Sequence, residues 1–137
     1  MITPRFTILF VDDEPWLSEA LRLKLEARDF DCVSKSDMSE AWDYLENNKV
    51  TVLVTDIMMP AGDSFPDIDS SETGFHFVRK VRKSFPDTSI ICLSVIGDQK
   101  KINELKRIGV LYLRKGETPL STAAKLIESK ATGLISY

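Results

Sequence analysis

The sequence predicts an α/β protein, a (βα)5 doubly wound parallel sheet of five strands with helices on both faces. Three observations lead to this prediction. Short runs rich in Val, Ile, Leu and Phe recur five times along the chain. Each is followed by a segment in which apolar residues recur at the three- and four-residue spacing of one helix face. The runs are mostly continuous rather than alternating, as in strands that are buried on both sides.

Each predicted strand is one of these short apolar runs. The first is apolar at nearly every position (F-T-I-L-F-V), whereas the second is more polar and therefore weaker. In chain order the predicted strands are Phe6–Val11, Asp31–Lys35, Val50–Val54, Ser89–Ser94 and Val110–Leu113. The 137 residues are enough for one well-packed domain, which we expect to span residues 1–131. Residues 132–137 would be a tail or the start of a linker.

Capping residues and prolines indicate where the helices begin and end. Pro15 suits the first turn of a helix behind Asp13, and Asp37 with Glu40 three residues later resembles a capping box. A loop rich in Pro, Gly, Asp and Ser is predicted from Ile57 to about Thr73. The predicted helices run from Pro15 to near Arg28, from Asp37 past Leu45, from about Gly74 to Ser84, from Asp98 to Ile108, and from Thr118-Pro119 onward.

Composition and charge exclude several classes of function. The formal net charge is −3, so the chain lacks the basic surplus that marks a nucleic-acid-binding surface. No apolar run approaches the roughly 20 residues needed to cross a bilayer, and the N-terminus lacks the layout of a signal peptide. Cys32 and Cys92 lie in strand-like runs and are predicted to be buried thiols rather than a disulfide. We expect a cytoplasmic domain that contacts neither nucleic acid nor membrane.

Polar residues follow the predicted strands where a doubly wound sheet binds its ligands, beyond the carboxyl ends. The first strand is followed by three acids, the third by Asp56, the fourth ends in Ser94, and the fifth is followed by Lys115. Carboxylates from adjacent strand ends repel one another unless a cation lies between them. A hard divalent ion with oxygen ligands suits such a place, and Mg²⁺ suits one that also receives phosphate. Lys115 could neutralise a phosphoryl oxygen and Ser94 could donate a hydrogen bond to it.

Four fragments, in order and at matching element boundaries, resemble a response-regulator receiver domain over almost the whole chain. They are V-D-D-E-P (11–15), T-D-I-M-M-P (55–60), S-V (94–95) and Y-L-R-K (112–115). The resemblance implies the flavodoxin-like strand order 2-1-3-4-5 and identifies Asp56 as the phosphoacceptor. It further implies that Asp13 binds Mg²⁺ directly, Asp12 binds it mostly through water, and the backbone carbonyl of Met58 completes the protein ligands.

The same resemblance implies a mechanism of signalling. Ser94 would be the switch hydroxyl that is drawn toward the phosphoryl group, and Tyr112 the aromatic side chain that swings inward when the hydroxyl moves. Lys115 would contact the phosphoryl group directly. The donor would be a phosphohistidine on a sensor histidine kinase or a histidine phosphotransfer protein. The fourth helix, fifth strand and fifth helix would form the signalling face; the output, a homodimer and the choice between a stand-alone and an excised domain stay open.

Three other functions compete with phosphoacceptor signalling as explanations of these residues. A receiver-like interaction module that is not phosphorylated remains the alternative, although all the expected site residues are retained. A phosphatase with an Asp nucleophile would need a second acid two residues after Asp56, where Met58 stands. A flavin or dinucleotide binder would need a loop rich in Gly or hydroxyl residues after the first strand, where Asp12, Asp13 and Glu14 would repel phosphates.

Three positions depart from the family pattern. Gly116 follows Lys115 where a proline after a cis bond is usual; a cis bond to a non-proline residue costs about 3–4 kcal/mol, so a trans bond or an altered geometry is expected. Val95 follows the switch hydroxyl where a small residue is typical, which predicts narrower access to Asp56. The acidic loop 61–73 is longer than a typical receiver needs by about ten residues, and its role stays open.

Overall fold

The computed structural model describes residues 6–12, 15–57, 70–94 and 99–133, and for residues 15–17 and 70–73 it describes the backbone. Five strands form one parallel sheet in the order β2-β1-β3-β4-β5, which confirms the predicted (βα)5 fold and strand order. The strands are β1 (Thr7–Val11), β2 (Asp31–Lys35), β3 (Val52–Thr55), β4 (Ser89–Ser94) and β5 (Leu111–Arg114). The central strands β1, β3 and β4 are almost entirely buried, which explains their continuous apolar runs.

The helices cover both faces of the sheet. They are α1 (Pro15–Glu26), α2 (Met38–Asn47), α3 (Ser70–Ser84), α4 (Gln99–Arg107) and α5 (Leu120–Thr132). Apolar residues of α2, α3 and α4 share one core cluster with one side of the strands. Apolar residues of α1 and α5 share a second cluster with the other side. The right-handed crossovers of a parallel sheet produce this division, because the chain reverses its direction of travel after β2.

The start of α3 corrects the prediction from sequence. The loop was expected to extend to about Thr73 and the helix to begin near Gly74, but α3 begins at Ser70. Residues 70–73 are Ser-Ser-Glu-Thr, so the first turn contains no apolar side chain and leaves no periodic signal to detect. Strands β3 and β5 also lie one or two residues later than predicted, which brings their last residues closer to the candidate site.

The capping residues of α2 act much as their spacing predicts. The Asp37 side chain accepts a hydrogen bond from the Glu40 backbone N–H at 2.9 Å, so Asp37 is the N-cap. The Glu40 carboxylate reaches back one residue further than a capping box requires, and accepts from both the N–H and the hydroxyl of Ser36. Two N–H groups at the helix start are therefore satisfied by side chains.

Both cysteines are free thiols, as predicted. Cys92 is fully buried in β4, and burial together with the charge of Asp56 raises the pKa of its thiol. Cys32 is half-buried because β2 is an edge strand, and burial and the nearby Glu26 raise the pKa of its thiol to about 12. Both groups are therefore neutral and weakly reactive near pH 7. Among the described residues, no helix is long and apolar enough to cross a bilayer.

Candidate functional site

Backbone hydrogen bonds fix the residues that follow the strands at the carboxyl edge of the sheet. The Asp12 N–H donates to the Lys35 carbonyl at 3.2 Å, and the Asp56 N–H donates to the Val11 carbonyl at 3.0 Å. The Lys115 N–H donates to the Ser94 carbonyl at 2.8 Å. The parallel ladder thus continues one residue beyond β1, β3 and β5. These hydrogen bonds fix the backbone at Asp12, Asp56 and Lys115, and so fix where their side chains begin.

Lys115 lies between two carboxylates. Its Nζ is 2.6 Å from Asp56 Oδ2 and 3.2 Å from Asp12 Oδ2, and the three side chains are 10%, 7% and 9% exposed. Partial burial by itself lowers the pKa of the ammonium, but the hydrogen bond and charge of Asp56 and the charge of Asp12 outweigh it. The pKa of Lys115 is therefore raised above its ordinary value. The ammonium stays charged at neutral pH and balances part of the negative charge.

Ser94 forms a hydrogen bond with the other oxygen of the Asp56 carboxylate. Its hydroxyl is fully buried and donates to Asp56 Oδ1 at 3.1 Å. The two oxygens of Asp56 thus have different donors, a neutral hydroxyl on one side and an ammonium on the other. Thr55 is also buried, and its hydroxyl donates to the Asp56 backbone carbonyl at 3.0 Å. Hydrogen bonds therefore hold Asp56 at both carboxylate oxygens and at its backbone carbonyl.

Tyr112 connects the site to the surface of the sheet. Its ring is half-buried against the core cluster beneath α2, α3 and α4, and its hydroxyl donates to the Ser94 backbone carbonyl at 3.3 Å. Burial raises the pKa of the phenol. In the pairing of β4 with β5, Tyr112 lies opposite Cys92, two residues before Ser94. The structure therefore brings the two predicted switch residues into direct contact.

Gly74 is a residue of the site that the sequence analysis missed. A Cβ atom at this position would lie 2.1 Å from the Ile57 backbone carbonyl oxygen, far below any tolerable contact. Ile57 follows Asp56 directly and is fully buried, so α3 packs backbone to backbone against the segment that carries the phosphoacceptor candidate. A glycine in a helical pattern was the available signal for close packing. Glycine in a helix costs about 1 kcal/mol of stability relative to alanine, so its presence there often has a packing reason.

Ser18 was missed as well. It is a buried polar residue on α1, and it lines a void of about 10 Å³ together with Asp12, Thr55 and Asp56. A void of this volume holds about one water molecule. Ser18 lies in the apolar stripe of α1, next to Leu17. A polar residue in an apolar stripe needs a polar partner when it is buried, so Ser18 was a usable signal for a polar site beneath this helix.

The candidate ligands that the structure describes, Asp12 and Asp56, have the chemistry of a site for a hard cation. Asp12 and Asp56 supply two carboxylates that already share one positive charge, and carboxylate oxygens are ligands that Mg²⁺ prefers. Asp13 and Met58, the other two predicted ligands, lie outside the described residues. Within residues 6–12, 15–57, 70–94 and 99–133, no three Asp, Glu, His or Cys side chains form a cluster that could enclose a metal ion.

Gly116 departs from the family pattern in its backbone. The Lys115–Gly116 peptide bond is trans, and Gly116 has a φ of 81°, a left-handed conformation that glycine adopts without strain. A cavity of about 280 Å³ lies beside it, lined by Lys115, Leu93 and residues of α1 and α5. The chain therefore turns after Lys115 by means of glycine flexibility. Val95, the other nearby departure, lies outside the described residues.

Comparison with known proteins identifies the family to which the sequence is similar. The sequence profile described as "Response regulator receiver domain" matches residues 8–126. "Response regulator GtcR" of Aneurinibacillus migulanus is 30% identical over 120 residues, which are 88% of this chain and 46% of that protein. "Response regulator Rre1" of Synechocystis sp. is 32% identical over 94 residues, which are 66% of this chain and 36% of that protein. The chain spans less than half the length of either relative.

A solved structure supports the fold independently. A response regulator from Thermotoga maritima superposes with a TM-score of 0.78, and the match covers 94% of this chain and 99% of that one. The two sequences are 21% identical, so this likeness bears on the fold. The profile match bears on ancestry, because it covers well over half of the chain and includes the ends of all five strands.

Proposed function

The chain belongs to the response regulator receiver domain family, and we propose that Asp56 accepts a phosphoryl group from a phosphohistidine. The observation that carries this proposal is one carboxylate held between a buried hydroxyl and an ammonium at the carboxyl edge of the sheet. The family consists of signalling domains, and the arrangement suits a single transfer to the domain itself. Its catalysis would be confined to its own phosphorylation and dephosphorylation.

The transfer follows from the chemistry of the carboxylate. An Asp56 oxygen forms a bond to phosphorus as the bond between phosphorus and the histidine nitrogen breaks, and the electron pair returns to the imidazole. The aspartate loses its charge as the acyl phosphate forms, while the phosphoryl oxygens introduce new negative charge beside it. Lys115 and Ser94, which donate to the carboxylate before transfer, would then donate to phosphoryl oxygens.

The approach of an anionic donor to this acidic site requires a cation. Asp12 and Asp56, with Asp13 and the Met58 carbonyl, would hold Mg²⁺. When bound, the ion supplies positive charge that weakens the repulsion between the carboxylates and the incoming phosphoryl group. Lys115 contributes to the same balance at its own position, since it stays protonated at neutral pH.

Ser94 and Tyr112 provide a route from the site to the outer surface. A shift of the Ser94 hydroxyl toward a phosphoryl oxygen would break its 3.1 Å hydrogen bond to Asp56. The Tyr112 hydroxyl, which donates to the Ser94 carbonyl, would respond to that shift and alter the face formed by α4, β5 and α5. The partner upstream would be a sensor histidine kinase or a histidine phosphotransfer protein, in the cytoplasm.

The experiment is phosphorylation with acetyl phosphate and Mg²⁺, followed by intact-mass measurement. The native chain should gain one phosphoryl group that hydroxylamine removes, as expected of an acyl phosphate. Asp56→Asn should stay folded and gain none, whereas Asp43→Asn, an exposed acid on α2, should label as the native chain does. A native chain that neither labels nor binds beryllofluoride would favour the interaction module that is not phosphorylated. Labelling of Asp56→Asn at another residue would refute the assignment.

A further inference from the structure

The surface formed by α2, α3 and α4 is divided by charge. The exposed residues of α2 include three acids and no base, and we call them the acidic strip: Glu40, Asp43 and Glu46. The exposed residues of α3 and α4 include six bases, and we call them the basic strip: Arg79, Lys80, Lys83, Lys100, Lys106 and Arg107. In a chain whose formal net charge is −3, this separation of opposite charges on one face is pronounced.

Contacts between α3 and α4 join their bases into one surface. Arg79 of α3 forms an ion pair with Glu104 of α4, and the Lys101 ammonium lies 5.3 Å from the centre of the Phe75 ring. The two helices therefore lie side by side on the sheet. Helix α2 packs on the same side of the sheet against the same core cluster, so the exposed bases of α3 and α4 and the exposed acids of α2 lie on one face of the molecule.

An aromatic residue lies between the two strips. Trp42 of α2 is half-buried and packs edge-on against Phe85, with ring centres 5.3 Å apart. The Lys80 ammonium lies 4.3 Å from the centre of the same indole ring. Trp42 is thus at the boundary where the acidic face of α2 meets the basic face of α3. Tryptophan is one of the residues enriched at the centres of protein interfaces, where a few such side chains contribute most of the binding energy.

We propose that this face binds a second copy of the chain through a two-fold axis that passes near Trp42. In such an isologous pair, each surface meets the same surface turned around. The acidic strip of one copy then lies against the basic strip of the other, and the reverse contact forms at the same time. The interface goes beyond phosphoryl transfer and uses none of the residues of the phosphoacceptor site.

The division of charge favours a second copy over an extended polyanion. A nucleic acid laid across the face would gain from the basic strip but would be repelled by the acidic strip on α2. A copy of the chain complements both strips, so its attraction grows with the whole face rather than with part of it. Because the complementary charges are exposed, the association should be weak and strongly dependent on salt.

The test is a charge swap measured by sedimentation equilibrium. One variant reverses the acidic strip (Asp43→Lys with Glu46→Lys) and another reverses the basic strip (Lys83→Glu with Lys106→Glu). Each variant alone should self-associate at least about tenfold more weakly than the native chain, because both contacts in its dimer become repulsive. An equimolar mixture of the two variants should associate again. In the mixed pair, the reversed acidic strip of one variant, now positive, meets the reversed basic strip of the other, now negative. The remaining contact joins a native basic strip to a native acidic strip.

Salt and a matched control complete the design. Native association should weaken as salt rises from about 0.1 M to about 1 M, over which the Debye length falls from about 10 Å to about 3 Å. A variant with two reversed bases on the opposite helices, Lys24→Glu with Lys125→Glu, should associate as the native chain does. All variants should unfold in urea in a single cooperative transition like that of the native chain, which shows that they are folded. The proposal is overturned if the native chain is monomeric at low salt, if the mixture stays monomeric, or if the control variant weakens association equally.

Discussion

Lys115 holds two carboxylates at once, with its ammonium 2.6 Å from Asp56 and 3.2 Å from Asp12. Its pKa is raised, so the folded state keeps this proton more strongly than the unfolded state, whose ordinary value is 10.5. The contribution of the charged Lys115 side chain to the free energy of unfolding is then fully present below about pH 10.5. It is lost as pH rises through the higher pKa that Lys115 has in the folded state. The window of sensitivity is therefore alkaline and does not reach neutral pH.

We expect Lys115→Gln to lower the free energy of unfolding at pH 7 by about 1–3 kcal/mol. The change leaves two poorly exposed carboxylates without their shared cation, although solvent access keeps the cost below that of a fully buried pair. Urea unfolding of both proteins from pH 7 to about pH 11.5 should show the difference shrinking above about pH 10.5. Lys125→Gln, an exposed lysine on α5, serves as control and should show no such change. A difference that stays constant through the alkaline range would contradict this account.

Gly74 and Gly116 are glycines for different reasons, and substitution by alanine separates the two. At Gly74 the added Cβ would lie 2.1 Å from the Ile57 carbonyl oxygen, so backbone must move; we expect a loss of at least about 2 kcal/mol. At Gly116 the Cβ meets nothing within 4 Å, and the cost comes from its φ of 81°, about 1–2 kcal/mol. Urea unfolding measures both losses.

The site should respond differently to these two changes. Gly74→Ala displaces the segment that begins directly after Asp56, so acetyl-phosphate labelling should slow even under conditions where the variant is fully folded. Gly116→Ala changes the turn after Lys115 without a steric conflict, and its labelling should be affected less. Equal stability of Gly74→Ala and the native chain would mean that α3 and Ile57 do not pack as closely as described.

Helix α2 illustrates how a short element is specified locally. The Asp37 side chain accepts from the Glu40 N–H at 2.9 Å, and we expect Asp37→Ala to cost about 1 kcal/mol, a typical value for loss of an N-cap. The readout is the midpoint of urea unfolding. Asp43→Ala, an exposed acid in the middle of the same helix, should change stability by less than about 0.5 kcal/mol. If both variants lose the same amount, helix charge rather than the cap is responsible.

Helix α3 shows where local patterns fail. Its first turn is Ser-Ser-Glu-Thr, which carries no apolar stripe, and its Gly74 would ordinarily weaken a helix. The helix nevertheless begins at Ser70, because the apolar residues Phe75, Phe77, Val78 and Val81 are fully or almost fully buried in the core. Packing of the later turns stabilises the whole helix and overrides the weak preference of the first.

The fold of the whole molecule brings two candidate Mg²⁺ ligands, Asp12 and Asp56, to the same lysine, although they follow strands that are far apart in the sequence. The unfolded chain cannot present them together, so Mg²⁺ should bind the folded state and stabilise it by mass action. At a free concentration about 100 times the dissociation constant, the gain is about 2.7 kcal/mol. Thermal unfolding across a Mg²⁺ titration should show a rising midpoint, and Asp13→Ala should remove most of the rise.

Two controls separate this effect from general ionic screening. Equal ionic strength supplied as NaCl should not raise the unfolding midpoint of the native chain to the same extent. Asp87→Ala, an exposed acid in the turn after α3, should retain the Mg²⁺ response. A native midpoint that is insensitive to Mg²⁺ would argue against a metal site at this edge of the sheet.

The sequence by itself determined the order and type of the elements and the residues at the strand ends. Alternating apolar runs and helical stripes are local signals, and a parallel sheet places the carboxyl ends of all its strands at one edge. Asp12, Asp56, Ser94 and Lys115 could therefore be assigned to one site before any coordinates were known. The strand order came from a family resemblance, because local spacing does not specify which strands are neighbours.

Tertiary structure decided the contacts between residues that are distant in the chain. It decided that Lys115 is shared by Asp12 and Asp56, that Ser94 takes the other Asp56 oxygen, and that the backbone of Gly74 touches Ile57. It also decided that α2, with its exposed acids, packs on the same side of the sheet as α3 and α4 with their exposed bases. Periodicity shows which side of a helix is buried, but the distances between elements depend on how side chains of different elements fill the same space.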